Sequence, residues 1–392
     1  MPSGEPCMVT NADQLQQAVT EIREAGAFAY DTEFIGESTY VPQLCLIQLA
    51  TRTTLWLVDP FDLPDLTPIW ELIADPDVAT LVHAGAQDLE PVERHIGRTP
   101  TNVIDTQIAA GFIGQPYPVS LARLVMEMTG WTVAKGMTFT DWSARPLSSM
   151  QLRYAADDVR YLPLIWDRME QQLHEFGHMD SCMEECEAAC HPGAYLPDID
   201  KQCRKIHRRN TLRQNQWVRL HHLMTLRDRC AREANVPPRT LIPDGCISDM
   251  ARRNPNSTDA IQQLRGMPRP TVERYGQDLL SVLADESEDG VPERPKQLPE
   301  ETATSRTQID SIWAALNCWA MAIGLAPAMV GTRNEIAEWI GEGGLANPEQ
   351  APWTHGWRQR VAGDFLLRFL RGECTLPMQW KDARLALQAG TA

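Results

Sequence analysis

Asp31 and Glu33 stand two residues apart in "AFAYDTEFIGE", residues 27–37, directly after an apolar run. Side chains two apart on a strand share a face. As strand residues, these two carboxylates would sit side by side and repel. Two further acids have unusual settings. Asp88 lies in "LVHAGAQDLE", where a helix starts after a strand, and Asp158 lies in "YAADDVRYLPLIW", an otherwise well-packed helix. Tyr154 precedes Asp158 by four residues and so shares its helix face. If the fold gathers Asp31, Glu33, Asp88 and Asp158, four like charges require hard cations. Mg²⁺ and Mn²⁺ take oxygen ligands, and Mg²⁺ leaves positions for water and phosphate oxygens. That set suits two-metal phosphodiester hydrolysis, in which charge on the attacking and leaving oxygens is stabilised. Tyr154 would then orient the attacking water or help take its proton, and orientation better suits so weak a base. Each element alone is common: a D-x-E sits in many loops, Asp88 could cap a helix, and Asp158 could be a surface acid like Asp157. The joint order and spacing carry the signal.

The elements that must position these residues can be read along the chain. Residues 27–60 form three short strands, "AFAYDTEF", "QLCLIQLAT" and "TLWLVDP", whose short connections favour antiparallel pairing. A fourth strand, "ATLVHAG", runs into the helix "AQDLEPVERHIG", and "TNVIDTQIAAGFIG" is a strand end followed by a helix capped by Asp105. From residue 119 to about 190 the pattern is helical. Together these give a mixed-sheet α/β domain. "HPGAYLPDIDKQ" and the polar, proline-rich 285–305 stretch read as linkers. Helices on either side of the second linker give two small all-α domains.

With 392 residues, the chain exceeds one ordinary core. No run of 18 or more apolar residues exists, so no membrane span is expected. "MPSGEPCMVTNADQ" lacks a basic region followed by an apolar core, which points to the cytoplasm and to ten reduced cysteines. The net charge of −16 is uneven: residues 1–200 carry 30 acidic against 10 basic residues, and 201–392 carry 22 against 26. The basic residues concentrate in 201–232, with ten Lys/Arg and one Asp. Arg204, Lys205, Arg208 and Arg209 within it are candidate phosphate contacts, and a solvated helix face is the competing reading.

The quoted stretches resemble the bacterial ribonuclease D family, within the tyrosine-bearing subgroup of the DEDD exonuclease superfamily. "DTEF", "HAGAQDLE" and "YAADDV" match its three exonuclease motifs, and "TYVPQLCLIQLA", "DTQIAAGF" and "DWSARPLSSMQL" extend the match. The resemblance implies a ribonuclease H-like α/β exonuclease domain over residues 1–200, with a mixed five-stranded sheet and helices. Two all-α HRDC-type domains would follow, at 210–288 and 306–392. It implies Asp31, Glu33, Asp88 and Asp158 as ligands of two divalent metal ions, Mg²⁺ or Mn²⁺, with Tyr154 as the fifth catalytic residue. The partner would be RNA with a free 3′ end, transfer RNA precursors in particular. The family's polar set ahead of the Asp-Trp pair is reduced here to "AKGMTFTDW", where Lys135 is left as a candidate phosphate contact, and the basic residues after "DTEF" are replaced by "IGES". A DNA 3′–5′ exonuclease and a non-catalytic RNA-binding protein are the alternatives.

Other features have plainer readings. Cys182, Cys186 and Cys190 repeat every four residues on one helix face. Packed thiols are favoured over a metal site completed by His191 or Cys203. His83 is read as a buried strand-end histidine rather than a site residue. Trp217, Trp313, Trp319 and Trp339 are read as core.

Overall fold

A computed structural model of the protein describes residues 2, 4–36, 38–133, 140–195, 198–296, 299–376, 378–381 and 384–387. The chain divides into two compact units. The first comprises Met1–Glu33, Leu46–Tyr195 and Leu298–Ala392, and the second Phe34–Cys45 and Leu196–Gln297.

The first unit is built on a mixed sheet of β1 (Cys7–Val9), β2 (Ala27–Ile35), β3 (Gln43–Ala50), β4 (Leu55–Val58), β5 (Ala79–Val82) and β6 (Val103–Asp105). Their spatial order is β1-β4-β3-β2-β5-β6. The expected neighbours β2, β3 and β4 are adjacent, and β3 pairs antiparallel with β4. β5 runs parallel to both β2 and β6. The sheet has six strands, one more than the five expected. The added strand, β1, pairs parallel with β4 at the edge, and at three residues it is too short to show an alternating pattern. β3 and β4 read as nearly unbroken apolar runs because Leu46, Ile47, Leu49, Leu57 and Val58 are all fully buried.

The approach to β2 is set locally. Helix Ala12–Ala25 is capped by Asn11, which accepts from the Gln14 N–H at 3.0 Å. Its buried stripe is Leu15, Ala18, Val19 and Ile22. Gly26 closes the helix at φ 68°, a left-handed conformation that glycine adopts at little cost, and β2 begins at the next residue.

Helices from the C-terminal segment pack within this same unit. Ala326 N–H donates to Gly111 O at 2.8 Å. Trp357 meets Phe112 edge-on, with centroids 4.6 Å apart. Glu185, on helix Met179–Ala189, accepts from both terminal nitrogens of Arg358 at 3.0 Å and from Trp357 Nε1 at 2.6 Å. The all-α expectation for 306–392 is corrected at its end, where β7 (Met378–Lys381) and β8 (Arg384–Leu387) pair antiparallel. No single helix among the described residues is long and apolar enough to cross a membrane.

In the second unit, helices Ile199–Asn210, Gln214–Ala234, Asp244–Arg253 and Arg269–Ala284 surround Trp217, Leu220, Leu223, Met250 and Leu279. The segment 34–45 also belongs here. Tyr40 donates its hydroxyl to Asp228 at 2.7 Å, and Arg232 lies over its ring.

Candidate active site

Strand register places the first two acids. β2 pairs with β5 from Ala27 to Ala29, and β5 ends at Val82, while β2 continues to Ile35. Asp31 and Glu33 therefore stand on the part of β2 that runs past its neighbour. The turn after β5 returns over that overhang with Asp88. Its start is strained: Ala84 holds φ 57°, a costly conformation for a residue with a Cβ. Asp105 offsets this by accepting from the Ala84 N–H at 2.9 Å, while also capping the next helix through Gln107 N–H at 2.8 Å. At Gly85 any Cβ would lie 2.6 Å from the Val82 side chain, so only glycine lets the turn pass so closely. Asp88 lies in this turn and does not cap the helix Glu90–Ile96, which has no side-chain cap.

Two residues on the other face of β2 hold Asp88. The buried Tyr30 donates its hydroxyl to Asp88 O at 2.8 Å, and the buried Thr32 hydroxyl donates to Asp88 Oδ1. Sequence reasoning passed over Tyr30 and Thr32, yet the same two-residue period that marks the acids marks these hydroxyls on the opposite side.

Asp158 and Tyr154 come from helix Ser149–Arg160. Its capping box is Ser148 with Gln151, and Ala155, Ala156 and Val159 anchor its buried side. Gln151 Nε2 donates to Asp141 O at 3.1 Å, and Arg145 pairs with Asp59 at 2.5 Å, so the preceding "DWSARP" stretch is tied to both helix and sheet. Trp142 packs on the Tyr154 ring at 6.1 Å.

The four acids and Tyr154 are brought close enough to perturb one another. Burial is the largest cause throughout. It pushes Glu33 up to about 8, helped by the charges of Asp158 and Asp88. Asp158 is pushed up to about 7, with Tyr154 beside it opposing the rise and Asp157 and Asp88 adding to it. Asp88 rises to about 6, held back by the Thr32 hydroxyl. Asp31 rises well above the carboxylate range through burial and then Asp88, Asp158 and Glu33. The Tyr154 phenol is raised by burial, then by Asp158, Glu33 and Asp31. Asp158 Oδ2 is buried and has no hydrogen-bond partner. The acids converge without closing on one point: among the described residues, no three His, Cys, Asp or Glu side chains stand ready to hold an ion. Asp88 commits one oxygen to Thr32, and mutual repulsion opposes a tighter cluster.

The other expected residues fall elsewhere. Arg204, Lys205, Arg208 and Arg209 are all exposed on helix Ile199–Asn210, opposite the buried Cys203, Ile206 and His207. The wider basic stripe is corrected. Arg219 and Arg227 are buried, donating to Ala251 O at 3.1 Å and to Asp244 at 2.7 Å, because their polar partners come from later helices. Lys135 lies outside the described residues. His83 hydrogen-bonds Thr106 and Val119 O, both at 3.0 Å. Cys182, Cys186 and Cys190 are buried free thiols. Trp217 and Trp339 are buried, whereas Trp313 and Trp319 are partly exposed.

A 3′–5′ exonuclease family model matches residues 6–174, and an HRDC domain model matches 216–283. Ribonuclease D of Gluconacetobacter diazotrophicus is 30% identical over 376 residues, covering 95% of this chain and 94% of the relative. Ribonuclease D of Cronobacter turicensis is 31% identical, covering 93% of this chain and 100% of the relative. The chain belongs to the ribonuclease D family. The crystal structure of Escherichia coli RNase D, described as an exoribonuclease involved in structured RNA processing, superposes with a TM-score of 0.80. It is 28% identical, and the match covers 94% of this chain and 99% of that one. The ribonuclease H-like fold and the hydrolytic 3′–5′ exoribonuclease activity follow from this membership.

Proposed function

We propose that Asp31, Glu33, Asp88 and Asp158 hold two divalent cations, Mg²⁺ or Mn²⁺, and that Tyr154 orients the attacking water. The observation that carries this is four carboxylates near enough for burial and mutual charge to raise them, one of which, Asp158, has a buried oxygen with no partner. Buried polar atoms are rarely left unpaired. A donor set made only of carboxylate oxygen suits hard cations rather than zinc held by sulfur and nitrogen. Bound there, two cations would supply Lewis-acid stabilisation to the water and to the oxygens of the scissile phosphate.

The chain's own residues supply positioning. Thr32 and Tyr30 fix Asp88 across the strand. Trp142 steadies the Tyr154 ring. Tyr154, whose ion-free phenol is raised by burial and then by Asp158, Glu33 and Asp31, would orient the attacking water through a hydrogen bond.

The substrate class we assign is structured RNA with a free 3′ end, transfer RNA precursors in particular, acted on in the cytoplasm. The exposed face of Arg204, Lys205, Arg208 and Arg209 would contact phosphates, and the segments 210–288 and 306–392 would serve as RNA-holding modules. The Escherichia coli relative's role in structured RNA processing supports this reading. Mn²⁺ titration of the purified protein tests the site. Wild type should bind two ions, and Asp31→Asn or Asp158→Asn should lose at least one. Unchanged stoichiometry and affinity in both variants would remove these acids from the site.

A further inference from the structure

One edge of helix Ser149–Arg160 runs through the proposed reaction centre, from the exposed Met150 at one end to the half-buried Tyr161 at the other. Tyr154, Asp158 and the helix-closing Tyr161 follow at four- and three-residue steps, which puts them along one face. At 1.5 Å rise per residue, Tyr161 lies about 10 Å beyond Tyr154 along the axis. Met150, four residues before Tyr154, is 68% exposed on the same edge. Tyr161 does not end this edge alone. Trp131, just after helix Leu121–Thr129, packs on it with ring centroids 5.8 Å apart and is itself 44% exposed.

A single exposed aromatic residue needs no explanation. This one continues the face that carries Tyr154 and Asp158, and a cation accompanies it. Burial and Asp157 push the Tyr161 phenol up, and the charges of Arg160 and Arg153 oppose that rise. Arg160 is engaged by Asp157 and by Pro2 O. Arg153 is exposed, in a half of the chain with 30 acidic against 10 basic residues. An aromatic pair with an exposed guanidinium about 12 Å before it on the same helix is chemistry that binds single-stranded nucleic acid. Ring faces stack bases whatever the sequence, and the cation meets the backbone phosphate.

We propose that Trp131 and Tyr161, with Arg153, form a stacking subsite for a nucleotide of single-stranded RNA one or two positions from the one being released. The inference rests on the proposed reaction centre at Tyr154 and Asp158. Trp131 touches no reacting atom in this scheme. Its role is to hold the RNA end in line with the cleavage site.

The test measures binding of a fluorescently labelled single-stranded RNA in EDTA, where metal-dependent cleavage is stopped, and steady-state kinetics in Mg²⁺. Trp131→Ala should weaken binding and raise KM about tenfold, within what one stacked base contributes, while kcat stays within about twofold. Trp131→Phe keeps a ring and should stay within about threefold of wild type in both measurements. Unchanged binding in Trp131→Ala, or equal losses in the Ala and Phe variants, would overturn the subsite. A wild type that cleaves RNA while Trp131→Ala binds normally sinks the subsite alone. A wild type that never cleaves, with binding still lost in Trp131→Ala, sinks the proposed reaction and leaves the subsite standing.

Discussion

Thr32 sits between Asp31 and Glu33 in sequence and points to the other side of β2, where its hydroxyl holds Asp88. Three consecutive residues thus serve one cluster from both faces of a strand. The consequence is a pH dependence with a definite sign. Asp88, Asp158 and Glu33 are raised to about 6, 7 and 8, whereas unfolded carboxylates titrate near pH 4. Between those limits the folded, ion-free protein keeps protons that the unfolded chain releases. The cluster's contribution to stability therefore falls as pH rises from about 4 to about 8. Cations need the deprotonated acids, so they should restore most stability where the repulsion is greatest. Thermal melts in EDTA should show a midpoint that declines from pH 5 to pH 8. Added Mg²⁺ or Mn²⁺ should raise it more at pH 8 than at pH 5.5. A metal-free midpoint that climbs across that window would contradict the account of the cluster.

The elements show where sequence was enough and where it was not. Asp31 and Glu33 were legible as a pair because a two-residue period needs only the strand. Tyr154 and Asp158 were legible as a pair because a four-residue step needs only the helix. The placement of Asp88 was not, since it depends on a left-handed Ala84, a close pass at Gly85 and hydroxyls from residues 30 and 32. None of these is a local preference. Arg219 and Arg227 misled for a similar reason: their sequence neighbours are basic, but their partners lie some 15 to 32 residues away and draw them inside. The C-terminal segment carries the same lesson in the first unit. Glu185 accepts three hydrogen bonds from Trp357 and Arg358, more than 170 residues later. Glu185→Ala should leave the Trp357 indole N–H and the two terminal nitrogens of Arg358 without this acceptor, while Arg358 Nε keeps Met329 O, and cost about 2 kcal/mol, tempered because Arg358 is 32% exposed. Urea unfolding followed through the first unit would show it, and a loss below about 0.5 kcal/mol would mean the contact is incidental.

At the scale of the whole molecule, charge is divided by task. The half bearing the sheet is strongly acidic, which suits an ion-dependent reaction centre but repels a polyanion. The exposed basic residues of helix Ile199–Asn210 lie in the other unit. The central claim is that four carboxylates on three separate segments form one ion-dependent site for releasing nucleotides from an RNA 3′ end. The most direct measurement is digestion of a 3′-labelled structured RNA by wild type, Asp31→Asn and Tyr154→Phe, with and without Mg²⁺ or Mn²⁺. Wild type should release single nucleotides only with the cation, Asp31→Asn should release none, and Tyr154→Phe should be slowed about 100-fold while still binding RNA. Equal release by wild type and Asp31→Asn, or release by wild type in EDTA, would contradict it.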